Sequence, residues 1–261
     1  MNHKEIFEDI TGKRARSIEK QGFGVSDDVV LINGGYIVRE ALADIDPYNA
    51  ASIEAKVLQQ ISNLKISEKV IFYNPQTGTK ISNLISNSFH YQEAMTHEQL
   101  FLLAKTIKKL HKSPITDTTI PEYKMLERME FYKGGTPDNL KLNSSEEQQA
   151  FKAIQKWMSS DNYVLCHNDI TEHNILFTFS KCFLIDWKHA MMNHPYSDLA
   201  SVIGENIFLT KNDVIFFLKS YFGGKYSESK FKKSCKSPNF AVMNGTIGRC
   251  ICTVERNKIR F

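Results

Sequence analysis

The stretch Cys166-His167-Asn168-Asp169-Ile170-Thr171-Glu172-His173-Asn174-Ile175-Leu176-Phe177, followed by Asp186 in Leu184-Ile185-Asp186-Trp187, decides how this chain is read. The run YVLC (163–166) is a short apolar strand that leads into a polar loop holding Asp169. Asn174 closes that loop, just before a second apolar strand, ILF (175–177). The strand CFLID (182–186) follows, ends on Asp186 and is expected to pair with ILF. Three oxygen-bearing side chains should therefore converge at one end of a hairpin.

Phosphoryl transfer requires such a set. Mg2+ prefers carboxylate and amide oxygens. A metal bridging the phosphates neutralises developing charge, and a separate carboxylate must orient or accept the acceptor's hydroxyl proton. The spacing D-x-x-x-x-N, followed by a strand-borne Asp, is shared with the catalytic loop and metal site of protein kinases. Taken alone, that spacing would be mostly chance. Here apolar strands bracket it and His167 precedes it.

The chain upstream of this stretch reads as a small β-rich unit. VVLI (29–32), Asn33-Gly34-Gly35 and YIVREAL (36–42) make a hairpin with a glycine turn. ASIEAKVLQQI carries Ile53, Val57, Leu58 and Ile61 at helical spacing. KVIFYN (69–74) and KISNLI (80–85) complete an antiparallel sheet with one helix. The rest is mostly helical. His97 to Leu110 places Leu100, Leu103, Ala104, Ile107 and Leu110 on one face, and a further helix is expected over Glu146 to Met158. The expected fold class is α+β, with a β-rich N-lobe over 1–85 and an α-helical C-lobe over 86–261. A ligand belongs in the cleft between them.

Composition excludes several classes. At 261 residues with 42% hydrophobic and 24% charged residues, the chain can bury a sizeable core. A formal net charge of +4 is too mild to argue for nucleic acid. There is no apolar run long enough for a membrane span, and the first twenty residues hold no signal-like apolar stretch. The five cysteines form an odd count that fits reduced thiols in a cytoplasm. Cys250 and Cys252 lack the partners that a zinc site needs.

The segments VLCHNDITEHNILF and FLIDWKHAMMNHPYSDLASVIGEN resemble the choline/ethanolamine kinase branch of the aminoglycoside phosphotransferase-like kinases, and bacterial choline kinases in particular. The likeness runs from about residue 20 to about residue 225 and implies a protein kinase-like two-lobed fold. It implies Asp169 as catalytic base, Asn174 and Asp186 as Mg2+ ligands, His167 as a brace of the loop and Asp198 as its structural support. In the N-lobe it implies Arg39 on the ATP phosphates with Glu54 as its ion-pair partner. Gly24 and Ser26 of the Gly22–Ser26 loop would cover the phosphates, and the Ile81–Leu84 segment would offer adenine its backbone. His111 matches a family position with a structural role.

The implied partners are ATP and a small hydroxyl-bearing acceptor, with a homodimer left open. The implied reaction is phosphorylation of choline or ethanolamine. Another hydroxyl acceptor (thiamine, an aminoglycoside, a sugar) and a non-catalytic nucleotide-binding pseudokinase are the alternatives. Three features depart from the family. Lys188 stands where choline kinases usually have Glu, and a cation there would repel a quaternary ammonium unless it points away or pairs with an acid. From Tyr226 on there is no Trp to cage choline by cation–π attraction. From about Lys230 the tail is rich in Lys, Ser and Cys, as a divergent or truncated end would be. Glu205 is expected to face the acceptor pocket. Trp187 and Tyr196 are either pocket aromatics or core packing.

Overall fold

The computed structural model describes residues 2–21, 27–41, 50–124, 127–128, 162–205 and 209–223. The expected helix at Glu146–Met158, the Gly22–Ser26 loop and the tail beyond residue 223 lie outside them.

A five-stranded antiparallel sheet forms the N-terminal part. Its strands are β1 (Ile18–Gln21), β2 (Asp27–Ile32), β3 (Tyr36–Ala41), β4 (Val70–Tyr73) and β5 (Lys80–Asn83), in the order β1-β2-β3-β5-β4. The β2–β3 turn puts Asn33 and Gly34 at φ 53° and 61°. Asn and Gly are the residues that tolerate this left-handed geometry.

Two helices accompany the sheet, where one was expected. The additional helix, α1 (His3–Thr11), is closed by a capping box between Asn2 and Glu5. It lays Ile6 and Phe7 on the sheet face formed by Val30, Ile32, Val38 and Ile81. Side chains alternate along a strand, so the neighbours of Val38 and Ile81 point the other way. Those neighbours are Arg39 and Lys80, directly paired across β3 and β5 and both buried.

Helix α2 (Ala51–Ile61) faces that charged side with Glu54. Its apolar face, Val57, Leu58 and Ile61, joins the core of the C-terminal part instead of the sheet core. Helix α3 (His97–His111) opens with a Thr96/Gln99 capping box and buries Leu100, Leu103, Ala104, Ile107 and Leu110, the face its periodicity predicted. It packs along α5 (Lys211–Phe222).

Two short hairpin-like pairs are set among these helices. β7 (Ile175–Phe177) pairs with β8 (Cys182–Leu184), as expected. β6 (Val164–Cys166) pairs with β9 (Met191–Asn193), a strand that the sequence reading did not find. The linker after β5 reaches the C-terminal part through Phe89, which exchanges two backbone hydrogen bonds of 2.9 Å with Phe177. Among the described residues, no helix is long and apolar enough to cross a membrane.

Candidate active site

The loop between β6 and β7 is held by α4 (Tyr196–Glu205). The buried Asp198 carboxylate accepts the His167 N–H on Oδ2 at 2.9 Å and the Asn168 N–H on Oδ1 at 2.8 Å. One helical turn on, the Ser201 hydroxyl accepts the Ile170 N–H at 2.9 Å. Loop donors that would otherwise be orphaned are thereby satisfied. Asp198 also bonds His111 Nε2 at 2.9 Å, and His111 Nδ1 meets the Tyr221 hydroxyl at 2.7 Å. Burial would raise the Asp198 pKa, but the His111 hydrogen bond and charge, with those of His167, outweigh it and hold the carboxyl below its ordinary value. His111, Cys166 and Asp198 lie close enough to suggest a metal group. Both ring nitrogens of His111 and both oxygens of Asp198 are already spent on hydrogen bonds, which accounts for the cluster without a metal.

Asn168 sits at φ 63°, a region Asn tolerates better than most residues. Its Oδ1 accepts from Asn193 at 2.8 Å and from Ser197 at 3.0 Å, and its Nδ2 donates to the His189 carbonyl at 3.0 Å. The His167 ring packs edge-on against Trp187 and its Nε2 meets the Ile185 carbonyl at 3.0 Å, the geometry of a brace.

Asn174 is buried at the mouth of β7. Its Nδ2 donates to the Asp169 carboxylate at 2.8 Å and to the Asp169 carbonyl at 2.9 Å. The amide is thereby oriented so that Oδ1 is the atom left to meet a cation. The Asn174 carbonyl accepts the Ile185 N–H at 3.0 Å, which brings the next residue, Asp186, to the same end of the hairpin. Asp186 stands at φ 63°, a left-handed turn just past the end of β8.

Across from it, Arg39 donates from Nη2 to Glu54 Oε2 at 2.6 Å and from Nη1 to Asp186 Oδ1 at 3.3 Å. It also reaches the Gly78 carbonyl at 3.4 Å. Gly78 sits at φ +72°, and a Cβ there would come within 2.9 Å of the Ala41 Cβ, so only glycine fits this turn. Lys80, which the sequence reading did not single out, bonds Glu68 and lies 3.9 Å from Glu54 Oε1. Burial raises the Asp186 pKa, but Lys188, Arg39, Lys80 and His189 more than offset it and hold the carboxylate ionised below its usual range. Lys188 Nζ lies 3.3 Å from Asp186 Oδ2, so the cation that departs from the family pattern is paired with an acid.

His189 is a further neighbour that the sequence reading passed over. Burial lowers its pKa, while Asp169 and Asp186 pull the other way. Burial wins, which favours the neutral ring, and that ring lies within electrostatic reach of both acids. No local spacing pointed to it.

Several expected roles need correction. Trp187 is fully buried in the C-terminal core, and its Nε1 donates to the Ser67 hydroxyl at 2.9 Å and the Leu184 carbonyl at 3.1 Å. It has no face to offer a substrate. Ile81 is buried and flanked on both sides by β3 and β4, so its backbone belongs to the sheet. The Leu84 N–H is taken by the Gly35 carbonyl at 2.9 Å, and the Asn83 N–H by Lys69 at 2.9 Å. An adenine would have to find its donors elsewhere. Tyr196, by contrast, is only partly buried, with its ring set against His194 and Phe222. The Glu205 side chain, Gly24 and Ser26 lie outside what is described.

A hard divalent cation fits the donor set of Asp186 and Asn174 Oδ1, with the Asp169 carboxylate tied to the same amide. The cations near it, Arg39, Lys80 and Lys188, would also suit a phosphate-bearing ligand.

Curated relatives match this chain in sequence, and solved structures match it in fold. Protein LicA of Haemophilus influenzae is 25% identical over 171 residues, which cover 60% of this chain and 48% of that protein. An uncharacterised protein of Metamycoplasma hominis is 29% identical over 130 residues, covering 49% of this chain and 25% of its own. The chain thus spans about half or less of the length of these two relatives. Among solved structures, choline kinase LicA from Streptococcus pneumoniae superposes with a TM-score of 0.74 at 18% identity, covering 99% of this chain and 92% of that one. A spectinomycin phosphotransferase solved with ADP and spectinomycin gives 0.63 at 15% identity, covering 99% and 93%. At these identities the likeness establishes the fold, which is protein kinase-like, with a β-rich N-terminal part and a helical C-terminal part. The sequence profile of the phosphotransferase enzyme family matches residues 18–226, and the chain belongs to that family.

Proposed function

We propose that this chain transfers the γ-phosphoryl group of ATP to the hydroxyl of a small acceptor, with choline or ethanolamine the favoured acceptors. The observation that carries the reading is the Asp169–Asn174 side-chain pair, with Asp186 drawn to it through the Ile185 N–H. Asp169 orients the acceptor hydroxyl and takes its proton as the oxygen attacks phosphorus. Asn174 and Asp186 hold Mg2+, which when bound offsets charge on the phosphates. Arg39, fixed by Glu54, meets the phosphates from the sheet side. His167 and Asp198 keep the loop in place. Residues 22–26 cover the phosphates, and Glu205 and Tyr196 border the acceptor. The lobes divide near residue 85.

The nucleotide-bound relatives support ATP as donor: LicA has been solved with AMP, and the spectinomycin phosphotransferase with ADP. Choline or ethanolamine is favoured by the choline kinase LicA structure and by an ethanolamine kinase of Plasmodium vivax with a TM-score of 0.68. The Lys188–Asp186 pair is compatible with a cationic acceptor, because the carboxylate offsets part of the ammonium's charge.

A coupled ADP-release assay over choline, ethanolamine, thiamine, an aminoglycoside and a sugar tests the reading. The expected result is Mg2+-dependent turnover that is highest with choline or ethanolamine. Preference for an uncharged acceptor would reject the acceptor class. ATP binding without turnover on any acceptor would reject catalysis.

A further inference from the structure

The ion pairs of the site form one unbroken chain of alternating charge. It runs Glu68–Lys80–Glu54–Arg39–Asp186–Lys188, with the Lys80–Glu54, Glu54–Arg39, Arg39–Asp186 and Asp186–Lys188 contacts at 3.9, 2.6, 3.3 and 3.3 Å. Among the described residues these pairs set three acids against three bases, with Lys188 on Asp186. Asp186 consequently has a cation on each oxygen, Arg39 on Oδ1 and Lys188 on Oδ2. The Lys188 side chain is only 18% exposed, so it is held against the site and does not trail in solvent.

We infer that Lys188 is the site's resident second cation, so that this chain engages its nucleotide with one divalent ion where an acidic or neutral residue at 188 would admit two. The inference rests on the phosphotransferase reading above. A second divalent ion on Asp186 must share Oδ2 with an ammonium, and like charges a few ångströms apart repel. One ion can still reach Asp186 through its remaining lone pairs, since a carboxylate offers about four acceptor positions. Replacing Lys188 with Glu removes two units of positive charge, which is the charge that one divalent ion restores. Lys188 then does part of what a metal would do, offsetting negative charge beside the phosphates without itself dissociating.

Counting ions tests this. The full chain is mixed with a non-hydrolysable ATP analogue, the protein in excess so that all the nucleotide is bound. Mn2+ is titrated in and free Mn2+ is read by electron paramagnetic resonance. Nucleotide binding is measured separately by displacement of a fluorescent analogue. The expected result is one Mn2+ per bound nucleotide for the native chain and two for Lys188→Glu. Lys188→Gln carries the same expectation and serves if the Glu variant fails to fold. Two ions on the native chain, or one on a variant that binds nucleotide, would overturn the role of Lys188 and leave the phosphotransferase reading standing. Failure of the native chain to bind nucleotide would overturn both.

Discussion

Around residues 167–170 the backbone is held by neutral N–H groups that donate to the side chains of Asp198 and Ser201. Across β3, β5 and α2 the restraint is ionic instead: Arg39 and Lys80 are buried against Glu54 and Glu68. The first arrangement fixes positions, because each amide must find its acceptor or lose roughly 1–3 kcal/mol. The second fixes charge, because buried ions are tolerated only while paired and contribute little net stability. A site that moves a phosphoryl group needs both, geometry at the base and the hydroxyl, and a steady field at the phosphates.

Substitutions can break either half. Asp169→Asn removes the base and keeps an acceptor for the Asn174 amide, so turnover should fall on the order of 10^3-fold or more. Thermal unfolding should barely change, which a melting curve beside the kinetics checks. Asp198→Asn strikes the positional half. One amide oxygen cannot replace a carboxylate that takes His167, Asn168 and His111 together. The expected cost is about 3–5 kcal/mol, the range for breaking a buried charged pair. Calorimetry should show a fall in Tm on the order of 10 °C. Glu54→Gln strikes the ionic half more gently, since Arg39 keeps Asp186 and Lys80 keeps Glu68. A loss of about 1.5–3 kcal/mol by denaturant titration is expected, with a rise in the apparent KM for ATP. The smallest change is Trp187→Phe, which loses the Nε1–H bonds to Ser67 and Leu184 at about 1–2 kcal/mol. Acceptor preference should not move.

Acid sharpens the same contrast. Glu68, Asp186 and Asp198 all have pKa values held below the ordinary carboxylate range, despite burial that opposes it. Their unfolded values are about 4. Their contribution to stability is therefore complete above about pH 4 and is lost as pH falls toward the lower folded values. Titrating stability from pH 6 to pH 2 should show a loss concentrated below pH 4, and Asp198→Asn should flatten that limb.

The legible part of this molecule was the local part. Asp169 and Asn174 lie five residues apart on one loop, and the strand that ends near Asp186 pairs with the one before it. Helices α2 and α3 announced themselves by apolar spacing. Arg39 and Glu54 were reached through the family likeness, and they do pair. What could not be read depends on register and on distant partners. Lys80 matters only because β5 sets it opposite Arg39. β9 is a three-residue strand whose partner, β6, lies far upstream in sequence. Trp187 could be read as a pocket aromatic or as core packing, and one step past a left-handed residue its ring lies in the core. Helix α1 was detectable, since Asn2 with Glu5 three residues on is a capping-box signature.

The proposed reaction requires that Asn174 and Asp186 hold one divalent ion, with Asp169 beside it as the base. Crystals grown with Mn2+ and a non-hydrolysable ATP analogue, measured for anomalous scattering, test that directly. The account predicts a peak within coordination distance of Asn174 Oδ1 and an Asp186 carboxylate oxygen, with Asp169 facing the acceptor side. A peak held by other side chains, or nucleotide bound with no peak at this hairpin, would contradict it.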